Sequence, residues 1–232
     1  MPIDPTLALR LQSWLSPGFP TGAYAYSHGL ERAVADGAVR DRASLVDWLD
    51  ADLRRGAGRN DAILFACAHR AASRRAGVAA FLDVAELAAA LRGTAEFVLE
   101  STAQGAAFLQ AVRIAWPHRR LDVLAARLDV AEIRPSLPVA VAACVAVHGI
   151  ALEDALPLFL QSTTANLVSA GVRLVPLGQT DGQRAVAALE VAVVETACAA
   201  LTSGLDALGS AAVMVDIASM RHETQYTRLF RS

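Results

Sequence analysis

Apolar residues recur every three or four positions along almost the whole chain, the spacing of one face of an α-helix. Leu7, Leu11, Trp14 and Leu15 form a first stripe after Pro5, and Pro17, Gly18, Pro20 and Gly22 then break the chain. Leu30 and Val34 mark a short helix ending at Gly37. Leu45, Trp48, Leu49 and Leu53 form the next stripe, with Ser44-x-x-Asp47 as a capping-box-like start and Gly56 as a stop. Asp61 is expected to cap a helix carrying Leu64, Cys67, Ala68 and Ala71, and Phe81, Leu82, Ala85, Ala88 and Leu91 carry the pattern on to Gly93. A long helix is predicted from about Thr94 to Trp116, where the small residues Ser101 and Gly105 let another helix approach closely. Leu121, Leu124 and Leu128 form a shorter stripe, Pro138 opens a helix that stops near Gly149, and another begins near Glu153 with Pro157 in its first turn. The last stripe, Val186, Leu189, Val193 and Ala197, follows Asp181. Strand-like alternation is scarce, and no fixed repeat or linker composition interrupts the chain. The pattern predicts one all-α domain over residues 1–232, a helical bundle of about nine or ten helices with a flexible C-terminal tail.

Composition narrows the class. The chain has 232 residues, of which 54% are hydrophobic, enough for one large core. Its most apolar run, Val139 to Leu152, contains His148 and Gly149 and is shorter than the ~20 residues a membrane-spanning helix needs. Ala185 to Leu201 carries Glu190 and Glu195. The opening "MPIDPTLALR" lacks the cationic start of a signal peptide, so a cytoplasmic protein without membrane contact is expected. Net charge is −2, and every Lys-or-Arg position is arginine. The mixed signs argue against a nucleic-acid footprint. Cys67, Cys144 and Cys198 are far apart with no C-x-x-C pair, which fits reduced thiols acting as small hydrophobes.

Candidate chemistry is sparse. No two histidines stand at the spacing of a helical metal site, and no metal or cofactor of the chain's own is expected. Ser27 and His28 lie in "YSHGLE", and Glu96 and Glu100 are one turn apart. An all-α enzyme built on Ser27, His28, Glu96 and Glu100 is the alternative reading, and it requires that these side chains converge on a pocket. The segment "LVPLGQTDGQ" at 174–183 lacks the spacing and the lysine of a phosphate-binding loop. It reads as a turn between helices, with Pro176 ending one element, Gly178 offering a positive φ and Asp181 capping the next helix. That leaves Gln179, Gln183 and the preceding Arg173 unexplained, and they suit protein recognition. The tail "SMRHETQYTRLFRS" is polar and basic but carries Tyr226, Leu229 and Phe230 as anchors for docking on its own domain or on another protein.

Three separated stretches resemble the UreF family of urease accessory proteins. They are "LSPGFPTGAYAYSHGLERAV" at 15–34, "NLVSAGVRLVPLGQTDGQ" at 166–183 and the tail "MRHETQYTRLFRS" at 220–232. "ESTAQGAAF" and "LPVAVAACVAVHGI" fit in order and spacing between them. The resemblance implies a helical, non-enzymatic protein that forms a homodimer. It also implies binding to the accessory protein UreD (UreH) and the GTPase UreG, and delivery of nickel to apo-urease reached through UreD. Carried over by position, the partner-binding residues are Tyr24, Tyr26, Ser27, His28, Glu31, Arg173, Gln179, Gln183, Arg228, Leu229, Phe230 and Arg231, with residues 219–232 as the partner-docking tail. The paired Tyr24 and Tyr26 leave open which aromatic is the contact.

Overall fold

Residues 137–147 are apolar on every side, and a helix of that kind is stable only when surrounded. In the computed structural model, which describes residues 3–232, Leu137–Val147 (α8) is the centre of the bundle, with Pro138 to Val145 buried throughout. The longest run of apolar residues is thus a core helix. No helix among the described residues is long and apolar enough to cross a membrane. Around α8 pack α4 (Ala57–Ser73), α6 (Ala95–Ala115), α7 (Arg119–Val130) and α9 (Leu152–Leu174). Further out, α10 (Gln179–Ala200) runs against α9 and α3 (Arg42–Arg55), while α5 (Val78–Ala90) covers α4. The small helix α2 (Leu30–Ala35) lies between α9 and α11 (Val213–His222), and α1 (Pro5–Trp14) inserts Trp14 edge-on against Phe108 and Trp116.

The described residues form eleven α-helices and two short 3-10 turns. Ten of the helices lie at the expected stripes, and α11 is the addition. The close approach expected at Gly105 is real: a Cβ there would stand 2.2 Å from the Pro135 carbonyl oxygen. Ser101 beside it accepts the amide of Leu137 at 3.3 Å, which seats the start of α8 on α6.

Several helix starts differ from expectation. Helix α3 begins one turn early, with Asp41 as its N-cap and Ser44 closing a reciprocal box from the third position. Asp61 lies inside α4 and binds Arg92 at 2.6 Å instead of capping. Pro157 sits inside α9, deeper than the first turn. The 175–178 segment is the expected turn between helices, but Gly178 has an ordinary φ of −78° and is itself the N-cap. Asp181 therefore falls in the first turn of α10 and pairs with Arg42 at 3.2 Å.

Of the segment expected to be a tail, residues 219–222 form the last turn of α11, and the rest lies against the domain, with Phe230 and Ser232 buried. Its partners are remote in sequence, in residues 25–31, on α6 and on α9.

Candidate functional site

Two helix side chains pin the loop after α1. Ser162 donates to the Leu15 carbonyl at 2.7 Å, and Asn166 donates to the Ala23 carbonyl at 3.1 Å. A 3-10 turn at Ala23–Ala25 follows, and then His28 and Gly29, at φ 56° and 75°, bend the chain into α2. Left-handed backbone is uncommon for a residue with a side chain. Gly29 has a second reason to be glycine, because a Cβ would meet the Ser219 backbone nitrogen at 2.9 Å. The start of α2 is thereby the seat of α11.

From the end of α11 the tail returns across α2. Glu31 accepts the amides of Leu229 at 2.6 Å and Phe230 at 2.9 Å, and faces His222 Nε2 at 3.1 Å. Glu96 on α6 takes His222 Nδ1 and Arg228 Nη1, each at 2.8 Å. Arg231 donates its amide to the Ala25 carbonyl at 2.8 Å. The Ser27 amide donates to the Ser232 carbonyl at 2.9 Å, and the Ser27 hydroxyl donates to the same oxygen. The Ser232 hydroxyl in turn donates to Glu100 at 2.6 Å. Phe230 is capped by Arg173, whose guanidinium carbon lies 4.5 Å from the ring centroid. Arg173 also donates to the Tyr24 carbonyl at 2.9 Å.

Below this seam lies a cavity of about 330 Å³, lined in part by His28, Asp52, Phe97, Glu100, Asn166 and Tyr24. His28 stacks on Phe97 at 4.0 Å and lies 3.5 Å from Glu100. Burial alone would pull His28 down, but the Glu100 carboxylate, helped by Asp52 and Asp61, raises its pKa to about 9. Burial would raise Glu100, yet His28 and the Ser232 hydroxyl hold it below the usual carboxylate range. Asp52 is pushed up by burial, although it accepts the amides of Ala57 and Gly58. Among the described residues no group of three or more His, Cys, Asp or Glu is placed to hold a metal ion.

The structure thus brings together most of the residues singled out from the sequence, and it sorts them. Tyr26, Ser27, Glu31 and Phe230 are buried and hold the seam from within. Tyr24, Arg173, Arg228, Leu229 and Arg231 are exposed along it. Of the tyrosine pair, Tyr24 points outward at 71% exposure and Tyr26 packs at 5%. Gln179 and Gln183 are exposed at the start of α10 and make no side-chain hydrogen bond among the described residues. The enzyme alternative required Ser27, His28, Glu96 and Glu100 to converge on a pocket, but only His28 and Glu100 line the cavity; Ser27, Glu96 and Glu100 bind tail residues and His28 pairs with Glu100. His222 and Ser232 were missed, since nothing local in the tail signals a partner more than a hundred residues away.

Comparison with known proteins agrees with the motif series. The UreF family profile matches residues 39–190. A urease accessory protein UreF of Rhodopseudomonas palustris (strain TIE-1) is 51% identical over 233 residues, covering 100% of this chain and 95% of the relative. The chain belongs to the UreF family. Similar UreF proteins occur in Methylorubrum populi, 48% identical over 97% of this chain and 99% of the relative, and in Bradyrhizobium diazoefficiens, 49% identical over 96% and 90%. The UreF profile includes Glu96, Glu100 and Arg173 of the seam but leaves out residues 24–31 and 228–232, whereas the alignment to the Rhodopseudomonas protein spans the full chain.

Proposed function

We propose that this UreF-family chain is a cytoplasmic, non-catalytic scaffold in urease maturation. In this reading it forms a homodimer and links UreD (UreH), which contacts apo-urease, to the GTPase UreG. Nickel is then cargo of the assembly and not a resident cofactor of this chain. The observation that carries the proposal is the seam itself: motifs remote in sequence meet there, and Tyr24, Arg173, Leu229 and Arg231 form its exposed edge. Tyrosine and arginine are favoured anchors of protein interfaces. The buried polar residues beneath have a structural task, since the Ser27 hydroxyl gives its hydrogen to the tail carbonyl and has no base activating it. That supports assembly over catalysis. Gln179 and Gln183 extend the same reading to the α9–α10 turn.

The test is reconstitution of apo-urease, UreD, UreG, GTP, bicarbonate and nickel, with and without this chain. Urease activation that depends on the chain is the expected result. Equal activation without it, or failure to co-purify with UreD and UreG when all are folded, overturns the proposal.

A further inference from the structure

The cavity below the seam, about 330 Å³, is at the small end of ligand pockets. Part of its wall is aromatic, with Trp14, Phe19, Phe108 and Phe159. Another part carries charge. His28 pairs there with Glu100, and Arg92 with Asp61, so each cation is already matched. Asp52 is left over. It is 5% exposed, it accepts only the backbone amides of Ala57 and Gly58, and no salt bridge reaches it among the described residues. Two further polar groups stand open in the same wall. Gln104, 4% exposed, and Thr164, 2% exposed, line the cavity, and their side chains make no hydrogen bond among the described residues. Unlike Nε of Arg92, their polar atoms are not sealed by neighbouring atoms, so they face the open space. Buried polar groups without a protein partner call for one from outside. Exposed Ser16, Pro17 and Tyr24 also line the cavity, so it reaches the surface beside the loop after α1.

We propose that this cavity binds a small organic ammonium, with its charge at Asp52 and its apolar body against the aromatic wall. The surplus carboxylate sets the sign of the ligand. A buried carboxylate without a counter-cation is costly, and an ammonium supplies both the charge and N–H donors. Gln104 and Thr164 offer oxygens to the same hydrogens, since an ammonium donates and never accepts. An anion would meet three carboxylates, and neither cation of the wall is free to receive it. A bare metal ion fits no better, because among the described residues no group of three or more His, Cys, Asp or Glu is placed to hold one. Aromatic faces also favour a cation once it is stripped of water. A cavity of about 150 Å³ holds benzene, so this one admits a single ring with a short aminoalkyl chain. Nothing in the site depends on the partners proposed above.

Phenethylamine, a cation at neutral pH, is the probe. It is titrated into the full chain by isothermal calorimetry, beside 2-phenylethanol as its neutral isostere and phenylacetate as the anion. Saturable binding at one site with a Kd below about 1 mM is expected for the amine. The alcohol should bind at least about tenfold more weakly, and phenylacetate more weakly still. Asp52→Asn should weaken the amine about ten- to hundred-fold, the loss of one charge-assisted hydrogen bond, and the alcohol by less than about threefold. That difference separates a lost charge from a collapsed cavity. Gln104→Leu should weaken the amine about three- to tenfold. The site is overturned by no saturation with about 10 mM phenethylamine, by equal affinity for the alcohol or the anion, or by displacement of the amine with nickel chloride alone. An amine affinity unchanged in Asp52→Asn also overturns it. Should Asp52→Asn fail to fold by circular dichroism, Gln104→Leu and the three probes on the unmodified chain decide.

Discussion

Arg173 stands over the Phe230 ring and donates to the Tyr24 carbonyl, so one guanidinium joins α9, the turn before α2 and the tail. Arg173→Ala is therefore expected to loosen the tail as well as remove an exposed cation. Its global cost should be about 1 kcal/mol by denaturant unfolding, with faster exchange at the Phe230 amide. In pull-downs it should reduce UreG recruitment more than UreD binding, and equal losses would place this surface elsewhere. His28 gives a pH prediction with a definite sign. Its folded pKa is raised to about 9, so its protonation favours the folded state. That contribution is complete below about pH 6.5, the value of an unperturbed histidine, and is lost as pH rises through about 9. On the order of 3 kcal/mol of pH-dependent stability should vanish across that window and be absent in His28→Gln, measured by urea midpoints. Such residues were visible in the sequence as a motif but not as a network. Ser27 and Ser232 are 205 positions apart and His222 and Glu31 are 191 apart, and helical periodicity says nothing about pairs at that range.

Helices were legible where an apolar stripe met a buried face, as in α3 and α6, or where the run was apolar all round, as in α8. Their ends were not, because capping depends on which backbone N–H groups are free. Asp41 rather than Ser44 caps α3, and Asp61 is drawn to Arg92. Helix α11 was missed because its apolar residues do not keep to one face. Val215 and Ala218 pack inward, while Val213, Met214 and Met220 stay exposed. The tail takes one of the two placements expected for it, docked on its own domain. Buried Phe230 alone is worth about 1.5–3 kcal/mol. Deleting residues 223–232 should then lower the melting temperature by several degrees, at about 2–4 °C per kcal/mol for a chain of this size. An unchanged melt would mean that the docked segment adds nothing to stability. Gly29→Ala acts on the seat of α11, since its Cβ would meet the Ser219 backbone and its φ is 75°. Limited proteolysis should then cut between α10 and the tail much faster, with the α8 core intact. Cleavage at the native rate would show that the contact tolerates a methyl group.

At the scale of the molecule, the all-α single domain followed from composition and period together, because a chain this apolar with so few strand signals has little choice but to stack helices. Homodimer formation is the part no periodicity reports. Light scattering of the purified chain should give twice the 24.4 kDa chain mass, and a monomer at micromolar concentration would remove the dimer from the proposed assembly. The seam also fixes an order of events. A ribosome lays down Tyr24 to Glu31 early and residues 228–232 some two hundred positions later. Until residues 222–232 are made, Glu31, Glu96 and Ser27 lack their tail partners, however well the bundle around α8 has already condensed. Closing so long a loop is a late step in folding. The exposed edge of Tyr24, Arg173, Leu229 and Arg231 is therefore completed late, and a chain cut just after α11 keeps the bundle but lacks the Leu229 and Arg231 side of it.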